Sequence, residues 1–265
     1  MKFLPKKSLG QNFLVNEEIL SLIADLGKIN LNDIVIEVGP GTGNLTEKIL
    51  KKKPKKLIVV EKDKNLSLIL KKKFKNNVEV INENILNYNQ DIYYKKKIII
   101  FGNLPYNIST QILTSWIKIN NLNSFCKRFI LMFQKEVADR ILAEFNTKNY
   151  GRLSIISSWK MDVEKIIDIN PNCFFPVPKV KSSLLIFMPK SKYYELKNSK
   201  NLEHVTNIFF NQRRKMIKKP LKLLFKNYEK IAEELSLDLN LRPQNLSNLT
   251  YYKICSHYEE SLKQI

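Results

Sequence analysis

Asn103, Leu104, Pro105 and Tyr106 follow the apolar run Ile98 to Phe101 after a single glycine, Gly102. An amide, a backbone carbonyl held extended by the next proline, and an aromatic ring thus leave one strand end together. A carbonyl pair accepts hydrogen bonds from an exocyclic amine while a phenol ring stacks on the heterocycle. The grouping therefore suits a flat, amine-bearing ring such as an unstacked adenine. The same four residues also suit a strand closed by a proline turn with a half-buried tyrosine.

A second candidate lies upstream, where residues 34–38 (Ile-Val-Ile-Glu-Val) run into Gly39-Pro40-Gly41-Thr42-Gly43 and a helical stretch from Asn44 to about Lys52. Strand, glycine turn and helix form the entry unit of a nucleotide-binding α/β sheet, because Gly39 and Gly41 let the backbone approach a ligand. Glu61 ends the next apolar strand, 57–61, at the spacing where an acid accepts hydrogen bonds from ribose hydroxyls. A dinucleotide loop places its third glycine where Asn44 stands, and a phosphate cradle would need a lysine, so NAD and ATP are disfavoured. Glu37 would repel a pyrophosphate but suits an ammonium, which points to a methyl donor, S-adenosylmethionine.

The elements that must position these residues can be read in order. Asn16 is placed to cap a helix with Glu17 and Glu18 in its first turn and Ile19, Leu22, Ile23 and Leu26 as its stripe. Asp63 caps a helix to Phe74, and strands follow at 78–81 and 98–101. Gly39, Glu61, Asn84 and Asn103 then fall past the carboxyl ends of four successive strands, the edge of a parallel sheet where ligands bind. Ser109 is a candidate cap for the next helix, strands are expected at 129–133, 163–167 and 184–188, and helices at 134–140, with Glu136 and Arg140 as a stabilising pair, and at 153–159. Residues 173–180 read as a rigid loop exposing Phe174 and Phe175 between prolines, and 189–201 as a linker. Beyond it only helical patterns appear, at 205–219, 221–225, 231–235 and 253–262. This gives domains 1–189 and 190–265.

The 265 residues carry a formal net charge of +20, with 15 Lys and Arg against 8 Asp and Glu after residue 189 and 30 against 17 before it. A basic excess over both parts points to a nucleic-acid partner, although lysine runs at 51–53, 71–73 and 95–97 also read as solvated faces. Arg213-Arg214-Lys215 is the candidate phosphate grip, or else a charge-compensated helix end. Cys126, Cys173 and Cys255 lack CxxC spacing and form no ligand set with His204 and His257, so no metal and a reducing compartment are expected. Neither a membrane span nor a signal sequence is apparent, so a cytoplasmic location is expected.

Six stretches carry a resemblance over nearly the whole chain: Ser8 to Leu14, Glu37 to Gly43, Phe101 to Ser109, Phe174 with Pro176 to Val180, Phe210 to Lys215, and Arg242-Pro243 with Asn245 to Ser247. Together they resemble the ribosomal RNA small-subunit adenine dimethyltransferase family. The resemblance implies a Rossmann-like, seven-stranded, mostly parallel sheet binding S-adenosylmethionine, with a small all-helical C-terminal domain. It also implies, as target, two adjacent adenosines near the 3′ end of small-subunit ribosomal RNA in the immature subunit; a monomer is expected. By position it puts cofactor contacts on Asn12, Leu14, Gly39, Glu61, Asn84 and Asn103, and puts Phe174 opposite Tyr106 across the flipped base. Asn84 and Lys181 stand where the family usually carries Asp. In this reading the Asn103 and Leu104 carbonyls position the amine, and no side chain acts as base. A large-subunit adenine methylase of the resistance type and a non-catalytic assembly factor remain as alternatives.

Overall fold

The computed structural model describes residues 11–88 and 96–262, so Ser8 to Gly10 of the first stretch of resemblance and Lys95 of the third lysine run lie outside the described residues. In chain order the elements begin with β1 (Phe13–Leu14), α1 (Glu17–Leu26), β2 (Ile34–Val38), α2 (Asn44–Lys51), β3 (Lys56–Val60), α3 (Lys64–Phe74) and β4 (Glu79–Ile81). They continue with β5 (Ile98–Asn103), α4 (Ser109–Ile117), α5 (Leu122–Phe125), β6 (Cys126–Gln134), α6 (Lys135–Ile141), α7 (Arg152–Lys160), β7 (Met161–Ile169), β8 (Phe174–Phe175) and β9 (Ser182–Pro189). The last four are α8 (Ser199–Phe210), α9 (Lys218–Leu224), α10 (Tyr228–Glu234) and α11 (Asn248–Ser261).

Seven strands form one sheet in the order β4-β3-β2-β5-β6-β9-β7. The pairs from β4 to β6 are parallel and β9 runs antiparallel to β6. Strands β2, β3 and β5 are buried along nearly their whole length, which explains their unbroken Val and Ile content: helices cover both faces of such a sheet. Chain order reverses between β2 and β5, and at such a switch point the loops leave in opposite directions and open a crevice.

Local chemistry sets the helix starts. Asn16 Oδ1 accepts the Ile19 amide at 2.9 Å, and Asp63 Oδ1 accepts the Asn65 amide at 2.8 Å. The inward stripe of α1 is Leu20, Ile23 and Ala24, one position round from the expected one, with Ile19 and Leu26 at its margin. Ser109 is not a cap. It is the first helical residue, and its hydroxyl donates to the Tyr106 carbonyl at 3.3 Å.

The segment 173–180 departs from the expected loop. Its first residues pair with β1 in a two-stranded antiparallel ribbon, Phe13 opposite Phe175 and Leu14 opposite Phe174, extended by the Val15 amide donating to Cys173 O at 2.9 Å. Alternate residues of a ribbon face opposite sides, and one side rests on the core. Phe174 is accordingly buried with Leu14 in the main hydrophobic cluster, at 2% exposure, while Phe175 is 60% exposed.

The chain divides into two compact units, one of Met1–Ala138 with Asp162–Lys190 and one of Asp139–Met161 with Ser191–Ile265. The second therefore draws 139–161 out of the range read as the first domain. Seven of the nine residues of α7 are buried, including Leu153, Ile155, Ile156 and Trp159. A helix apolar on several sides needs more than one neighbour, and α8 and α11 supply them.

Two further expectations change in this unit. The expected helix 205–219 is two helices, since α8 stops at Phe210 and a turn carries Arg213 to Lys215 before α9. Backbone bonds from Ile217 N to Leu241 O and from Lys218 N to Leu239 O hold the entry to α9. The end of the supposed linker is α8 itself, where the buried Glu259 accepts the Lys197 and Asn198 amides, each at 2.8 Å. Among the described residues no helix is long and apolar enough to cross a membrane.

Candidate active site at the switch point

The site begins where β2 and β5 part. Val38 pairs with Gly102, so Gly39 and Asn103 emerge side by side. A Cβ on Gly39 would stand 3.4 Å from the Asn103 carbonyl oxygen, in the mouth of the crevice. Gly41 has φ +59°, and a Cβ there would come within 2.5 Å of the Phe13 ring. At this position the missing side chain makes room for an aromatic ring of β1, so the glycine turn and the N-terminal ribbon are fitted to each other.

Glu61 ties the turn to the next strand end. Its Oε2 accepts the Gly41 amide at 3.3 Å and its Oε1 the Asp63 amide at 2.9 Å. Burial raises the pKa of this carboxyl above its ordinary value, against the pull of those two amides. Glu37 lies deeper, at 2% exposure; burial pushes it up to about 8, opposed first by the Thr46 hydroxyl, which donates to Oε2 at 2.7 Å.

On the β5 side, Asn103 Nδ2 donates to the Asn12 carbonyl at 2.8 Å. That bond fixes which way the amide faces, with Nδ2 committed as donor and Oδ1 left to accept. Leu104 anchors the backbone by burying its side chain, and Tyr106 turns its hydroxyl onto Ser182 Oγ at 2.8 Å. Burial raises the Tyr106 phenol above its usual range, with the Ser182 bond opposing, so the ring is neutral and held in place. Sequence reasoning passed over Ser182. Its signal was a small polar residue at the mouth of the apolar run of β9, where a buried hydroxyl needs a partner.

Eight residues singled out from the sequence line one cavity: Asn12, Gly39, Gly41, Glu61, Asn84, Asn103, Leu104 and Tyr106. Leu66 and Leu86 add apolar wall. Leu14 lines a smaller adjoining hollow, and its carbonyl accepts Asn44 Nδ2 at 2.9 Å. The Asn84 amide does not simply face the cavity, because Oδ1 accepts the Leu86 amide at 3.2 Å and keeps one lone pair for anything else. Phe174 is not brought to the cavity, since its ring is in the core.

The basic triplet also divides. Arg213 faces inward, donating from Nη2 to the Lys148 carbonyl and from Nε to Gln244 Oε1 at 3.2 Å, so it braces the second unit. Arg214 and Lys215 line an open groove with Lys218, Lys219, Lys222 and Arg242, and among the described residues no carboxylate lines it.

A family model described as ribosomal RNA adenine dimethylase matches residues 2–260. The chain belongs to that family. It is 54% identical over 255 residues to ribosomal RNA small subunit methyltransferase A of Pelagibacter ubique (strain HTCC1062), covering 96% of this chain and 97% of that one. It is 42% identical to the protein of the same name from Ehrlichia ruminantium (strain Gardel), covering 92% and 93%. Among solved structures, a dimethyladenosine transferase from Plasmodium falciparum superposes with a TM-score of 0.78 at 28% identity, over 94% of this chain and 98% of that one. The seven-stranded, Rossmann-like methyltransferase sheet and the family read from the motifs agree with these findings.

The cavity fits S-adenosylmethionine by its chemistry. It offers a side-chain-free turn at Gly39 and Gly41, a carboxylate at Glu61 whose oxygens retain lone pairs for hydroxyl donors, and flat apolar wall from Leu66 and Leu86.

Proposed function

We propose that this protein dimethylates the N6 amines of two adjacent adenosines near the 3′ end of small-subunit ribosomal RNA, acting as a cytoplasmic monomer on the immature subunit. The observation that carries the reading is the clamp on Asn103, whose Nδ2 bond to the Asn12 carbonyl presents Oδ1 as an acceptor beside Leu104 and Tyr106. S-adenosylmethionine supplies an electrophilic methyl group when bound.

The chain's own part is positioning. The adenine amine is a poor nucleophile because its lone pair is delocalised into the ring. Asn103 Oδ1 and the Leu104 carbonyl accept its two hydrogens, drawing the nitrogen toward a tetrahedral shape and aiming the lone pair. An amide is no base, so the proton leaves to water after transfer. Tyr106 stacks on the base, contributing roughly 1–3 kcal/mol toward a flipping cost of the same order. Its bond to Ser182 fixes the plane of that stack. Glu61, Asn84, Gly39, Gly41, Asn12 and Leu14 make up the cofactor side.

RNA is gripped separately by the groove of the second unit, with Arg214 and Lys215 binding phosphates and Arg213 as their support. Transfer of labelled methyl groups to undermethylated small subunits, large subunits and free RNA tests the reading. Small subunits alone should be labelled; labelling of large subunits would replace it with the large-subunit activity, and no labelling anywhere with a binding role.

A further inference from the structure

Burial of Phe174 leaves the ribbon's other aromatic without a role. Phe175 is 60% exposed, an unusual position for a phenylalanine in a rigid, paired segment. It is the direct partner of Phe13, and directly opposed residues of an antiparallel pair project to the same face, with Cα atoms about 5 Å apart. Phe13 lies against the Gly41 turn and lines the cavity, and its neighbour Asn12 holds Asn103. Phe175 does not line the cavity, but its exposed ring shares a ribbon face with Phe13, which does.

What covers such a ring follows from its surroundings. Residues 173–181 carry Lys179 and Lys181, both exposed, and no acid. An exposed aromatic ring in a segment that also carries two exposed cations and no acid suits a nucleobase with its phosphates better than an apolar protein surface. A base entering the cavity must be pulled from its stack, and its neighbour on the strand is left at the mouth with one face bare.

We propose that Phe175 is the stacking platform for the RNA base next to the one being methylated, with Lys179 and Lys181 beside the intervening phosphates. This rests on the RNA-methylating reading above, and it gives a function to a ring that the target pocket does not use.

The test compares Phe175→Ala and Phe175→Trp with Val177→Ala, an equally exposed apolar residue of the same segment. Phe175→Ala should raise KM for undermethylated small subunits about tenfold or more, Phe175→Trp should restore it, and S-adenosylhomocysteine binding should not change. An unchanged KM, or an equal rise with Val177→Ala, would overturn the proposal. A second readout separates it from the methylation reading. A 2-aminopurine beside the target position in the RNA should be quenched by wild type and not by Phe175→Ala, whereas one at the target position should be quenched by both. Quenching without methyl transfer would sink the catalytic reading alone. Absent quenching beside the target would sink this one.

Discussion

The cavity of the first unit and the groove of the second are built from opposite materials. The cavity holds its acceptors by short neutral hydrogen bonds, Asn103 to Asn12 and Tyr106 to Ser182, and the Glu61 carboxylate on its wall is buried and bonded to backbone amides. The groove is lined by six cations, and what supports it is backbone bonding at the entry to α9 together with the Arg213 brace, not bonds that aim its charged groups. Geometry matters in the first and charge in the second. A site that must aim a lone pair needs fixed atoms, whereas a site that holds a polyanion gains from the release of counterions and tolerates mobile lysines.

Substitutions in the two places should therefore fail in different ways. Among those outside Asn103, Tyr106→Ala should have the largest effect, a loss of about 1–3 kcal/mol in kcat/KM for the RNA with cofactor binding kept; equal weakening of cofactor binding would make Tyr106 a cofactor residue instead. Replacing Arg214 and Lys215 with Ala should lower the slope of log K against log salt by roughly 0.7–0.9 for each phosphate no longer neutralised, measured by filter binding, while leaving single-turnover transfer at saturating RNA intact. Arg213→Ala should act differently, lowering Tm more than the salt slope, because its bonds run to Lys148 and Gln244.

Ser182→Ala and Tyr106→Phe should each cost about 1 kcal/mol in kcat/KM and the double variant no more than either, since they break one bond from two sides. Additive losses would disconnect Ser182 from catalysis.

Stability should also depend on pH, and here the smallest effect on RNA binding is expected. Glu37 titrates near 8 in the folded chain against 4.5 as its ordinary value, chiefly because it is buried. Between those values the folded state keeps a proton that the unfolded state has lost. Its contribution to stability is therefore full below pH 4.5 and is lost as pH rises through about 8. Glu37→Gln should flatten that decline in calorimetry without changing the salt dependence of RNA binding.

Much of the cavity was legible in the sequence because its parts are punctuated. Glycines after β2, an acid after β3, Asn84 and Asn103 announce strand ends, and parallel strands announce themselves by unbroken apolar runs. What could not be read was set by distant parts of the chain. Phe174 and Phe175 look alike in a proline-rich segment, and only pairing with β1 decides which ring faces the core. Nothing local distinguishes Arg213 from Arg214 either; the difference is a carbonyl 65 residues away. Helix α7 was assigned correctly as a helix but to the wrong unit, because burial on several sides depends on α8 and α11.

Everything proposed for the cavity turns on Asn103 positioning the amine of an RNA adenine. The decisive measurement is single-turnover methyl transfer by Asn103→Ala onto undermethylated small subunits, read beside RNA and cofactor binding. Transfer should fall by about 10²–10³-fold or more, the size expected for loss of a preorganised acceptor, while RNA stays bound. Transfer at the wild-type rate in that variant would contradict the role given to Asn103.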